Sequence, residues 1–240
     1  MLTRSKHKEW TVLSSDADPA ARRIFEKFID GDTADMRVKT LKAGGDTGPV
    51  YEIEFGGKKY VLKIDLRQRH RRDYLVQSFF RGSNAFRLLR KMERALEKSP
   101  GERGVARVFL VADKRDSVIG RIVFQSCVLM EFIDGKEIAQ IPGGAETYGG
   151  ECLRILHWMH DNGMVHGDVH PGNFMIENAT GTVRAMDISG KAPTRGQKVF
   201  DIVHFEEKFG VPADRHNLSY FLVRLGLKYR RFSRRLRGKK

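Results

Sequence analysis

The chain has 240 residues, 40% hydrophobic and 31% charged, with a formal net charge of +14. That is a globular composition, long enough for two lobes or one large domain. No apolar run reaches the roughly 20 residues of a membrane span, and no apolar segment follows Met1 to make a signal peptide, so a cytoplasmic protein is expected. Cys127 and Cys152 are widely spaced and each lies among apolar neighbours. They are expected as buried thiols in a reducing compartment and not as a disulfide or a metal pair.

In chain order, residues 1–35 read as an N-terminal extension. It holds a strand near Trp10 to Leu13 and a helix that Asp18 and Pro19 start and that Ile24, Phe25, Phe28 and Ile29 dock. Residues 37–41, 50–55 and 59–64 are three short alternating or apolar runs separated by glycine turns, an antiparallel meander. The first turn carries Gly44, Gly45 and Gly48. It reads either as an ordinary hairpin turn or as a loop whose bare amides approach phosphate, although it departs from the usual Gly-x-Gly-x-x-Gly spacing. Lys63 sits in the third strand between Leu62 and Ile64, where a charge needs a partner, and phosphates and a helix glutamate would satisfy it.

The helix predicted next spans 83–98, with Ser83 as its cap and Phe86, Leu89, Met92 and Leu96 as its stripe. Glu93 is expected to pair with Lys63, with a solvated arrangement beside Glu97 and Lys98 as the competing view. Residues 105–112 and 119–133 read as two long strands. The second ends at Glu131, Phe132 and Ile133, either a plain strand end or a hinge whose backbone reads an adenine edge. Residues 147–162 carry Cys152, Ile155, Leu156 and Met159 at helical spacing. His157 and His160 on that helix lack carboxylate or cysteine partners in sequence and are read as structural.

Chemistry concentrates in the stretch that follows. Asp168 precedes Asn173 by five residues across a Pro171-Gly172 turn, and Asp187 comes after two apolar runs, 174–176 and 183–186, that read as a β-hairpin. Phosphoryl transfer from ATP needs a carboxylate to orient the acceptor hydroxyl and take its proton, and oxygen ligands to hold Mg2+ against the phosphates. Asp168 suits the first task, Asn173 and Asp187 the second. The bland alternative makes Asp168 and Asn173 turn formers, with His166 and His170 on the surface. Val199, Ile202, Val203 and Phe205 suggest a further helix. The last predicted helix, 217–237, has Phe221, Leu225, Tyr229, Phe232 and Leu236 as one apolar stripe flanked by arginines and lysines, to be covered either by the core or by an anionic membrane. Its basic end and a second basic run at 67–72 point to polyanionic partners.

His166-Gly167-Asp168, His170, Asn173 and the segment Asp187 to Lys191 resemble the protein-kinase-like fold in its small-molecule branch, and within it the bacterial lipopolysaccharide core heptose kinases, heptose(II) kinase above all. The likeness extends over essentially the whole chain. It implies an α+β, two-lobed fold, with an antiparallel N-lobe over 36–134 and a mainly helical C-lobe over 135–240. It further implies ATP and Mg2+ as cofactors, a heptose of the lipopolysaccharide inner core as acceptor, and a place at the cytoplasmic face of the inner membrane. By position, Asp168 would be the catalytic base, Asn173 and Asp187 the magnesium ligands, and Lys63 the phosphate holder. The arginine and lysine that protein kinases carry in this loop are Gly167 and His170 here. Together with the short 192–198 segment, this argues against a protein substrate and against control through an activation loop. Aminoglycoside-type acceptors are polycations that a +14 chain repels. A basic nucleic-acid-binding protein would share the charge, but the chain has no aromatic-rich basic sheet or recognition motif, and no nucleic acid is expected.

Overall fold

The computed structural model describes residues 1–44, 48–66, 83–115, 122–213 and 218–236, the last seven by backbone alone. The basic run at 67–72 and Gly45 lie outside the described residues. The chain divides into two compact units, Met1–Ile133 and Asp134–Lys240.

The first unit is built on a seven-stranded antiparallel sheet in the order β1-β2-β6-β7-β5-β4-β3. Its strands are β1 (Leu2–His7), β2 (Trp10–Ser15), β3 (Arg37–Lys42), β4 (Val50–Phe55), β5 (Lys58–Asp65), β6 (Val108–Arg115) and β7 (Val123–Glu131). The N-terminal residues, expected as an extension, supply the β1–β2 hairpin that pairs with β6. They also supply helix α1 (Ala20–Asp30), whose Ile24 and Phe25 are fully buried against Trp10, Ile53, Leu62, Leu110 and Leu129. The extension therefore covers one face of the sheet, and removing it would expose that core to water.

Asp18 ties this helix to the sheet. One carboxylate oxygen accepts the Ala20 amide at 3.0 Å and the other accepts the Tyr60 hydroxyl at 2.9 Å. Burial, reinforced by that carboxylate, pushes the Tyr60 hydroxyl up to about 12. It stays a hydrogen-bond donor at every physiological pH.

Helix α2 (Asn84–Lys98) packs on β6, β2 and β7. Ser83 caps it, as predicted, accepting the Phe86 amide at 3.3 Å. The same hydroxyl donates to the buried Asp113 carboxylate at 2.9 Å, joined there by Ser126 at 2.8 Å. Burial raises the Asp113 carboxyl above its usual range, against the opposing pull of these donors and of Arg115. Side chains alternate along a strand. Leu62 lies on the α1 face, and Lys63, paired with Val128 and through it with Val111, lies on the face that α2 covers.

The second unit holds a small sheet of β8 (Gly135–Glu137), β9 (Phe174–Glu177) and β10 (Val183–Ala185), in the order β10-β9-β8. Among the described residues it is accompanied by the helices α3 (Gly144–Asp161), α4 (Arg195–Phe209) and α5 (Leu218–Leu236). The predicted hairpin is β9–β10, with Phe174 opposite Ala185. Both cysteines are buried and unpaired with each other.

Candidate active site

The loop between α3 and β9 begins at Met164, and Val165 makes an isolated antiparallel bridge with Ser189. Two backbone hydrogen bonds hold this loop against the segment after β10, and a third closes a turn within it. The Ser189 amide donates to the His166 carbonyl at 2.9 Å, the Met186 amide to the Asn173 carbonyl at 2.8 Å, and the Asn173 amide closes its own turn on the His170 carbonyl at 2.9 Å. These bonds bring Asp187 onto backbone adjoining that of Asp168 and Asn173.

The loop is anchored from below by Asp201 on α4. Its two carboxylate oxygens accept the backbone amides of His166 and Gly167, each at 2.8 Å, and one of them also meets His160 Nε2 at 3.1 Å. Two consecutive amides aimed at one carboxylate require a sharp backbone bend, and Gly167 supplies it with φ +82. A Cβ at that position would stand 2.7 Å from Ser189 Cβ and 3.4 Å from Lys191 Nζ. The loop therefore excludes an arginine at 167 on steric and conformational grounds together. Lys191 takes that space, with its ammonium 3.4 Å from the Gly167 carbonyl.

His166 is fully buried, which removes the surface reading of this residue. Its ring stacks on Phe174 at 5.3 Å, and Phe174 meets Phe209 edge-on at 5.6 Å. Neither ring nitrogen of His166 has a hydrogen-bond partner among the described residues. Burial lowers its pKa, against the opposing pull of Asp201, Asp187 and Asp168, so the neutral ring is favoured.

Above this floor the chemistry-bearing groups face outward. Asp168 is 71% exposed, with His170 Nε2 at 3.9 Å from its carboxylate. His170 Nδ1 accepts the Gly172 amide at 3.1 Å, which sets the turn and the ring together. The Asn173 side-chain nitrogen donates to the Asp168 carbonyl at 2.8 Å, so its oxygen is the acceptor that remains. Asp187 has φ +50, a conformation non-glycine residues rarely adopt and one that marks functional turns. An amide oxygen and a carboxylate on adjoining backbone are hard donors that suit Mg2+, which takes few protein ligands and completes its shell with water and phosphate oxygens. The described residues hold no cluster of three or more His, Cys, Asp or Glu able to bind a metal. His160, read from sequence as structural, meets the Asp201 carboxylate.

In the first unit, Lys63 is half-buried on the α2 face. Glu93 is buried on α2, and its carboxylate meets the Arg107 guanidinium at 3.4 Å. Arg107 also exchanges backbone hydrogen bonds with the Glu131 position: its carbonyl accepts the Glu131 amide at 2.8 Å, and its amide donates to the Glu131 carboxylate at 3.1 Å. The Glu131 amide is thereby engaged within the unit, and Ile133 is buried at the strand's end. Gly48 has φ +87, and a Cβ there would lie 2.0 Å from the Ile64 carbonyl oxygen, so the β4–β5 backbone itself demands this glycine. Gly44 meets no such constraint: a Cβ there would have only the Pro49 ring, at 3.9 Å.

Sequence reasoning missed Asp201. Its signal was present, an acidic residue inside the apolar run from Val199 to Phe205, where a buried helix face tolerates a charge only if it is fully hydrogen-bonded.

An antiparallel sheet unit with a strand lysine and covering helix, and a helical unit with the Asp168–Asn173 loop, are those of a phosphotransferase of the protein-kinase-like fold. The family described as "Lipopolysaccharide core biosynthesis protein (WaaY)" matches residues 1–239, and the chain belongs to it. It is similar to the lipopolysaccharide core heptose(II) kinase WaaY of Escherichia coli (strain K12), 27% identical over 239 residues, covering 100% of this chain and 99% of that one. A second Escherichia coli protein of the same name is 25% identical over 240 residues, with 100% of each chain covered. Among solved structures, the kinase domain of Mycobacterium tuberculosis PknI, as a double mutant, aligns with TM-score 0.49 at 17% identity, covering 73% of this chain and 71% of that one.

The backbone clamp can be tested with Gly167→Ala and Asp201→Asn. Each is expected to cost about 1–3 kcal/mol of stability and to lower turnover more than tenfold in protein that still folds, read by thermal unfolding and initial rates. Wild-type turnover in Gly167→Ala would show that the bend is dispensable.

His166 gives a pH dependence of definite sign. In the unfolded chain it titrates near 6.5, and its folded value lies below that. The stability it contributes is thus complete above about pH 6.5 and is lost as pH falls toward the folded value. Thermal unfolding of His166→Phe should therefore change less between about pH 7.5 and about pH 5.5 than that of wild type. An identical change in both would remove His166 from this role.

Proposed function

We propose that the protein is an ATP-dependent kinase that phosphorylates a heptose of the lipopolysaccharide inner core, the second heptose by likeness to its relatives. The observation that carries this reading is the loop itself, with Asp168 exposed at its tip and Asn173 and Asp187 on adjoining backbone clamped by Asp201. Relatives named heptose(II) kinases match the whole of the chain that contains it.

In this mechanism Asp168 orients the acceptor hydroxyl and takes its proton as that oxygen bonds to the γ-phosphorus and the bond from the γ-phosphorus to the β–γ bridging oxygen breaks, with ADP leaving. Asn173 and Asp187 would hold Mg2+, which would supply charge neutralisation on the phosphate oxygens. Lys63 holds the phosphates, and Glu93, on the helix covering the Lys63 face, directs that lysine while also engaging Arg107. His170, with Nε2 3.9 Å from the Asp168 carboxylate, serves the nucleotide's phosphate end. Gly44 and Gly48 serve the phosphates, and the backbone around Glu131 and Ile133 receives the adenine.

The acceptor is anchored in a bilayer and carries acidic groups, so a +14 chain suits it, working at the cytoplasmic face of the inner membrane with its basic residues against anionic lipid. Among the described residues no helix is long and apolar enough to cross a membrane, and the contact proposed is peripheral.

Purified protein given γ-labelled ATP and core lipopolysaccharide should label the saccharide. Asp168→Asn and Asp187→Asn should each fall by ~10²-fold or more while remaining folded. Label on added protein with the saccharide blank would overturn the acceptor class, and near wild-type turnover in either variant would overturn the site.

A further inference from the structure

Helix α5 docks through one face and leaves another uncovered. Tyr220 is buried, with its hydroxyl on the Glu206 carboxylate of α4, and Val223 and Leu227 follow it at helical spacing as the partly covered positions. The opposite face carries Leu218, Phe221, Leu222, Leu225 and Tyr229, exposed between 58% and 74%. Separations of three, four and seven residues put these five on one stripe. Arg224 and Lys228, both exposed, run beside it, and no acidic residue occurs from Leu218 to Leu236.

A stripe of large apolar side chains left in water is costly. Its surroundings select the occupant. A second copy of this chain, paired stripe to stripe, would bring two acid-free basic helices together, which like-charge repulsion opposes. A nucleic acid would engage the cations and leave the stripe in water. An anionic lipid surface satisfies both at once: headgroups take Arg224 and Lys228 while the stripe enters the acyl boundary.

We propose that α5 is an interfacial helix that lies along an anionic bilayer with Phe221, Leu222, Leu225 and Tyr229 inserted below the headgroups. This rests on the membrane location proposed above and deepens it, because the hold is by apolar insertion as well as by charge. Insertion explains why the helix docks through Tyr220, Val223 and Leu227 and turns its larger stripe away from α4.

The test is co-sedimentation of the full chain with vesicles of phosphatidylglycerol and phosphatidylethanolamine, beside vesicles of phosphatidylcholine, at low and high salt. Wild type should bind the anionic vesicles and retain part of that binding at high salt, where charge alone is screened. The double variant Phe221→Ser/Leu225→Ser should bind roughly tenfold or more weakly and lose the salt-resistant part. Its activity on deacylated, water-soluble core saccharide should equal that of wild type, which also reports that it folds. Equal binding by both proteins, or binding fully abolished by salt in wild type, would overturn insertion. A lipid-free wild-type dimer that the double variant dissolves would put a second copy on the stripe instead. If wild type shows the vesicle pattern but phosphorylates no core saccharide in either form, the kinase reading fails and the interfacial helix stands.

Discussion

One buried carboxylate organises the second unit. Asp201 accepts two successive backbone amides and a histidine, so every oxygen lone pair that matters is used and the charge is tolerated in the interior. Because those amides belong to His166 and Gly167, the bend at the start of the catalytic loop is fixed from α4. The consequences run outward. Gly167 must remain glycine, which lets Ser189 approach, and the Ser189 and Met186 amides then set Asp187 beside Asn173. Asp168 projects from a loop whose two ends are both held.

This arrangement also accounts for the difference from protein kinases. In those enzymes an arginine after the histidine couples the catalytic loop to a phosphorylated activation segment. Here the 167 position has no room for a side chain, Lys191 occupies the adjacent space, and α4 begins at Arg195, a few residues after Asp187. The loop is held instead by hydrogen bonds within its own unit.

Much of this was legible in the sequence because it rests on local signals. The strand around Lys63, the helix capped by Ser83, the β9–β10 hairpin and the Asp168–Asn173 turn all follow from short-range periodicity and turn chemistry. What was not legible depends on partners far away in the chain. Asp201 looks like an interruption of an apolar helix until its two amides are in view. The strand Leu2–His7 is polar and exposed at a sheet edge, and it has no apolar alternation to announce it. The last helix showed its largest stripe, but which face docks was decided by Tyr220 and its hydroxyl on Glu206, a long-range contact no periodicity encodes. Glu93 was singled out by its place on the helix, while its described pairing with Arg107 came from the turn into β6.

The most direct test of the central claim is the composition of the core oligosaccharide in cells. Mass spectrometry of core saccharide from a strain lacking this protein, beside the parent strain and a strain complemented with the intact chain, reads the product without assumptions about assay conditions. The account predicts loss of one phosphate from a core heptose in the deletion strain and its return on complementation. An unchanged phosphate content, or a loss confined to a sugar other than heptose, would contradict it.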